Sequence, residues 1–298
     1  MNKLLEDKNT YKLIRADSTH TLQKKNNALV DELYKSKIIN YREKQQLTST
    51  AATAPRLYGL PKIHKPDLPL RPICSSVNVP CYGMSKYIGK ILSNLISEKH
   101  NIKNAYEFKE RLNNVQINDE DMLVSFDVVS LFTNIPIPLA IKIITAKWYK
   151  IQQNTSICKN KFLNLLNFCL KDNNYFMCDK NLYVQTYGMP MENPFSPTIA
   201  DIIMDDLLDK TILELKENFD IDIKFLVKYV DDIFAIVRRN DVDIILNTLN
   251  KYHLKLQFTV EKENNLRIPF LDIMVYKKNS ELILDWYSKP TSSGRFIN

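Results

Sequence analysis

The segment Phe225-Leu-Val-Lys-Tyr-Val-Asp231-Asp232-Ile-Phe-Ala-Ile-Val sets two adjacent carboxylates between two apolar arms. Arms rich in β-branched and aromatic residues predict two buried strands, and the acids between them predict a tight hairpin turn. A second segment, Met122-Leu-Val-Ser-Phe-Asp127-Val-Val, puts one more acid into an otherwise apolar strand. Burying an unpaired carboxylate is costly, so each acid needs a cation or strong hydrogen bonds. If the two strands lie side by side, Asp127 and Asp231 face one point. Few ligands, all oxygen, suit magnesium better than zinc.

An Asp-Asp pair alone is a weak signal, and the chain holds another, Asp205-Asp206. Around it Ile203, Leu207 and Leu208 recur at helical spacing. That predicts a helix carrying both acids on a solvated face, in a structural role.

Composition removes several alternatives. With only 5 glycines the chain has no glycine-rich loop to cradle a phosphate, which argues against P-loop and Rossmann nucleotide binding. The 5 cysteines show no C-x-x-C spacing and the 4 histidines do not cluster, so a structural zinc is not expected. Reduced thiols, a polar start from Met1 to Tyr11 and no long apolar run predict an intracellular protein with no membrane partner. A net charge of +7 permits a polyanionic partner without establishing one.

Along the chain, Leu22, Leu29, Val30, Leu33 and Tyr34 predict N-terminal helices. Prolines 55, 61, 66, 69, 72 and 80 then impose extended segments, before helical texture returns from Tyr82 to Leu112. A strand is expected over Met122–Phe132, helices over 139–170, a hairpin over Tyr175–Tyr187 and a helix over Thr198–Leu215. Asp241–Leu254 reads as helix, followed by extended pieces near Leu256, Phe270 and Leu282. Strands alternate irregularly with helices, so the predicted class is α+β.

Read with their neighbours, these acids closely resemble the reverse transcriptases of Penelope-like retroelements. Tyr229-Val-Asp231-Asp232 is similar to polymerase motif C, and Ser125-Phe-Asp127-Val-Val-Ser-Leu-Phe132-Thr-Asn-Ile-Pro136 to motif A. Arg56-Leu-Tyr-Gly-Leu-Pro-Lys62-Ile-His-Lys65-Pro with Leu70-Arg71-Pro-Ile resembles the group's fingers segment. Gly188-Met-Pro-Met191-Glu192-Asn193-Pro194-Phe-Ser196-Pro197 stands where motif B belongs. Ile268-Pro-Phe-Leu-Asp272-Ile and Tyr287-Ser-Lys289-Pro-Thr291 resemble the strands after the palm. The order is the family's, from about Tyr11 onward.

The resemblance implies a right-hand polymerase fold, α+β, with an antiparallel palm sheet backed by helices and a thumb largely absent. Fingers and N-terminal helices would occupy 1–120; the palm, with motifs A to E and a helical insertion at 139–170, would occupy 121–298. It implies RNA-directed DNA synthesis on an RNA or DNA template with a primer, using dNTPs and two magnesium ions, manganese being a possible substitute. Asp127, Asp231 and Asp232, with the carbonyl of Val128, would hold the metals. Lys62 and Arg71 would reach the triphosphate, with Lys65 a rival for the lysine role. Phe132 would pack beneath the sugar and refuse a 2′-hydroxyl, and Met191 would join the nucleotide site. Motif B would contribute Gly188, Pro194, Ser196 and Pro197. Lys255 and Lys262 are alternative acids for pyrophosphate.

One departure stands out. The family pattern M-G-S-P-x-S-P reads here Met191-Glu192-Asn193-Pro194-Phe195-Ser196-Pro197. Glu192 replaces a glycine and adds negative charge where a triphosphate is expected. The alternative is therefore a truncated or degenerate retroelement fragment that binds nucleic acid without polymerising.

Overall fold

The structure is a computed structural model that describes residues 5–61, 70–75, 77–189 and 193–288. In its first half the elements run β1 (Tyr11–Ile14), α1 (Thr19–Lys35), α2 (Tyr41–Leu47), β2 (Arg56–Pro61), β3 (Leu70–Ser75), α3 (Tyr82–Leu92), α4 (Ala105–Leu112) and β4 (Asp121–Val128). Next come α5 (Leu131–Asn134), α6 (Ile137–Ala146), α7 (Trp148–Ile151), α8 (Lys159–Asn167), β5 (Tyr175–Cys178), β6 (Asn181–Gln185) and α9 (Ser196–Phe219). The last are β7 (Phe225–Tyr229), β8 (Asp232–Arg238), α10 (Val242–Lys251), β9 (Phe258–Lys262), β10 (Arg267–Phe270), β11 (Ile273–Lys278) and β12 (Glu281–Trp286). The chain is thus a mixed α/β protein with largely antiparallel sheets.

Two compact units form, each from two stretches of chain: Met1–Ile96 with Phe132–Ile203, and Ser97–Leu131 with Met204–Asn298.

The first unit contains a five-stranded sheet in the order β1-β6-β5-β2-β3. Its strands pair antiparallel except for a single parallel pair, Arg56↔Met177. The proline-rich stretch supplies β2 and β3, as its composition predicts. Strand β1 was not anticipated: it has four residues, and Leu13 is 64% exposed, so no apolar alternation marks it. It exists because its register from Tyr11↔Gln185 to Ile14↔Leu182 lets it extend the sheet edge. Tyr11, Leu57, Phe176 and Cys178 make the sheet's small core. Helix α1 buries Leu22, Asn26, Val30 and Leu33, a stripe at helical spacing. Helix α2 starts at a capping box, Asn40 with Glu43.

The second unit holds a four-stranded antiparallel sheet, β7-β8-β4-β9, and a three-stranded one, β10-β11-β12. Phe108 of α4 lies 5.0 Å from Phe234 and 4.8 Å from Phe270 between ring centroids, and the latter two rings are 5.4 Å apart. This aromatic triad, with Leu123, Ile236 and Val275 around it, fixes α4 and both sheets to one core. The acid-bearing strands β4 and β8 lie in the middle of the larger sheet, and everything apolar about them is buried.

Candidate active site

Strands β4 and β8 run antiparallel from Asp121↔Arg238 to Asp127↔Asp232. Directly opposed residues project from the same face with their Cβ atoms about 4.5–5.5 Å apart, where like charges repel. Leu123, Val124 and Phe126 of β4 and Ile233 to Val237 of β8 are buried, whereas Asp127 is exposed and Asp231 and Asp232 are half-buried. The apolar sheet therefore ends in a wet acidic edge.

Tyr229 pairs with Asp232, leaving Val230 and Asp231 as a two-residue loop. The acid pair is thus not centred on the turn: Asp231 occupies it and Asp232 begins β8. Val230 sits at φ 58°, a left-handed conformation that β-branched residues avoid. Holding it there costs on the order of 1–3 kcal/mol and needs support from both arms. Among the described residues, no three His, Cys, Asp or Glu side chains gather closely enough to hold a metal ion by themselves.

Support for the first arm comes from Lys228, which is fully buried beside Tyr229. Its ammonium donates to Asn101 Oδ1 at 2.5 Å and lies 3.5 Å from Asp205 Oδ1. Asp205 also accepts from the Ser97 N–H at 2.8 Å and from Asn101 Nδ2 at 3.0 Å. The backbone of Lys228 accepts from Ile102 N–H and donates to the His100 carbonyl. Here the expectation for Asp205-Asp206 needs correcting. The role is structural, but Asp205 is 3% exposed, not solvated, because a buried cation compensates its charge. Asp206 bonds Lys210 at 2.7 Å and accepts from Tyr252 Oη at 2.7 Å. Burial, reinforced by that carboxylate, pushes the Tyr252 hydroxyl far above its usual range. Lys228 was missed in the sequence, although a lysine inside Phe-Leu-Val-Lys-Tyr is itself a sign of a buried partner.

Of the two candidate acids after the turn, Lys262 pairs with Val124, three positions along β4 from Asp127, and bonds Asp243 at 3.0 Å. Lys255 precedes β9 at its other end, where Val129 N–H donates to the Gln257 carbonyl. Register puts Lys255 at the acidic end of the sheet.

In the first unit, Gly188 has φ 80°, and a Cβ there would stand 2.3 Å from the Thr133 carbonyl oxygen. Only glycine fits so close an approach. The next residue, Met189, donates its N–H to the Phe132 carbonyl at 2.8 Å. Phe132 lies on α5 and is half-buried. Asn193 is buried, and its Oδ1 accepts from Phe195 N–H at 3.3 Å as α9 begins. Ser196 opens that helix with Pro197 next, a position where proline's missing N–H is harmless; Pro194 is half-buried just before it. Val128 is buried at the end of β4. Arg71 belongs to β3, opposite Leu60. Lys62, Lys65, Met191 and Glu192 lie outside the described residues.

The architecture is that of the right-hand nucleic-acid polymerases, with palm and fingers. Apo telomerase from Candida tropicalis aligns over 93% of this chain and 54% of its own, at 11% identity and a TM-score of 0.59. A Candida tropicalis telomerase truncated from its C-terminal domain aligns over 78% of this chain and 55% of its own, at 14% identity and TM-score 0.58. The BmCPV RNA-dependent RNA polymerase at its elongation state covers 98% of this chain and 28% of its own, at 13% identity and TM-score 0.54. The chain thus spans about half the length of the telomerases it matches. No curated protein sequence matches it. The family model for reverse transcriptase (RNA-dependent DNA polymerase) matches residues 63–268, and the chain belongs to that family.

Proposed function

We propose that this chain is the polymerase core of a Penelope-like reverse transcriptase, extending a primer by RNA-directed DNA synthesis. One observation carries the reading: Asp127 and Asp232 stand opposed at the sheet's exposed end, beside Asp231 in a strained two-residue turn. Sheet β7-β8-β4-β9 serves as palm, and the β2–β3 hairpin with Lys62 and Arg71 serves as fingers.

The residues fit a divalent cation. Magnesium takes one or two carboxylates and completes its shell with water and substrate phosphates, so an opposed acid pair suffices without a protein cage. Asp127, Asp231 and Asp232, with the Val128 carbonyl, would hold two Mg2+ ions, manganese substituting. When bound, such ions acidify a primer 3′-hydroxyl and stabilise charge on the departing pyrophosphate. Lys62 supplies a point charge to the triphosphate and Arg71 a planar fork. Phe132 would stand under the sugar and refuse a 2′-hydroxyl, and Met191 would join the nucleotide site. Lys255 gives a proton to pyrophosphate.

The test is primer extension on an RNA template with magnesium and either dNTPs or rNTPs. Extension with dNTPs that is lost in Asp231→Ala supports the reading; a preference for rNTPs refutes it. Glu192 favours a second reading, a chain that binds template and no longer polymerises. No extension by the native chain, restored by Glu192→Gly with Asn193→Ser, would establish that one.

A further inference from the structure

Gln185 ends strand β6, three residues before Gly188, and is 3% exposed. Both hydrogens of its carboxamide are used on main-chain oxygens of the turn that follows. Nε2 donates to the Tyr187 carbonyl at 2.7 Å and to the Met189 carbonyl at 2.9 Å. Its own backbone is held as well: Gln185 N–H donates to the Asn174 carbonyl at 2.7 Å, and Asn174 Nδ2 donates to the Gln185 carbonyl at 2.5 Å. Beyond the turn, Met189 N–H reaches the Phe132 carbonyl, and Gly188 packs on the Thr133 backbone with no room for a side chain.

We infer that Gln185 is a positioning residue for sugar selection: its buried carboxamide locks the 187–189 turn, which in turn fixes the backbone of Phe132. The inference rests on the proposed role of Phe132 and adds what holds that ring in place. A buried carboxamide bridging two carbonyls of one turn fixes the turn's shape, since releasing it would take a donor from each oxygen, the bond to Met189 being buried. The turn then offers Met189 N–H in one direction only. Phe132 lies on a helix of four residues, too short to be rigid alone, so this bond from outside the helix helps to hold its backbone in place. A gate works only if the ring cannot yield when a 2′-hydroxyl pushes on it.

The test uses Gln185→Met, which keeps the shape and loses the donors, and Gln185→Glu, which keeps the outline of the amide. Each is measured as the ratio of kcat/KM for a dNTP to that for the matching rNTP, with Phe132→Val as reference. The ratio does not depend on how much of a preparation is folded. We expect both Gln185 variants to lose at least tenfold in discrimination, with dNTP incorporation less affected. Hydrogen–deuterium exchange at residues 131–134 and 187–189 should rise in both, and that readout needs no catalysis. Unchanged exchange in these segments overturns the inference whatever the activity. Lost discrimination in Phe132→Val but not in the Gln185 variants also overturns it and leaves the gate standing. Discrimination unchanged in Phe132→Val refutes the role of Phe132 itself.

Discussion

Replacing Lys228 with methionine removes a buried cation while keeping much of its volume. Its partner Asp205 would retain two hydrogen bonds, from Ser97 N–H at 2.8 Å and Asn101 Nδ2 at 3.0 Å, but no charge to balance its own. Asn101 Oδ1 would lose its 2.5 Å donor. Breaking a buried ion pair from one side costs about 3–5 kcal/mol; the bonds left to Asp205 place this case near the lower figure, ~3 kcal/mol. At about 2–4 °C per kcal/mol for a domain of this size, the midpoint of thermal unfolding should fall by roughly 6–12 °C. The backbone bonds of Lys228 to residues 100 and 102 survive the change, so the loss belongs to the side chain. Urea and thermal unfolding of Lys228→Met, Asp205→Asn and the double variant close a cycle. The double variant should be more stable than the sum of single losses predicts, by at least ~1.5 kcal/mol, because it leaves no lone buried charge. A single-variant loss under about 1 kcal/mol, or strictly additive losses, would refute the idea that this pair braces the arm beside the acidic turn.

Other outcomes follow from neighbouring features. Gly188→Ala should destabilise by at least about 2 kcal/mol in urea unfolding, since a left-handed φ and contact with the Thr133 carbonyl act together. Val230→Asn, which tolerates φ 58°, should stabilise by about 1 kcal/mol while lowering primer extension; no gain in stability would mean the turn is not strained. His100 accounts for a pH effect. Burial holds its imidazole below the ordinary value of 6.5, and among the described residues nothing bonds its buried Nε2. The unfolded chain therefore takes up a proton first, so stability should decline as pH falls below 6.5, levelling only once the folded imidazole protonates. His100→Gln should flatten that decline in urea midpoints measured between pH 7.5 and 5; an identical slope would count against it.

The strands that carry the acids were legible because local pattern and tertiary pairing coincide there. Apolar arms around Asp231-Asp232 and around Asp127 signal strands wherever they occur, and those strands formed and paired with each other. The turn was legible as a turn but not in its phase. A lone sequence cannot show that register sets Asp232 in the strand and forces Val230 to positive φ. Asp205 was misread as solvated because its helix periodicity is sound; what buries it is Lys228, 23 positions later (228 − 205), which no helical window contains. Strand β1 and the division into units built from separated stretches were illegible for the same reason. Both depend on partners far along the chain, and the residues concerned carry no local mark of them.

The pairing of β4 with β8 also has a consequence in time. Asp232 follows Asp127 by 105 residues (232 − 127), so on a ribosome adding about 5–20 residues per second β4 waits roughly 5–20 s for its partner. Throughout that interval the strand Met122–Val128 offers an unpaired apolar edge, the kind of surface that other chains and chaperones bind. Slowing synthesis between the two strands should therefore lower the yield of soluble protein more than the same delay placed after Lys262, when β9 has closed the sheet.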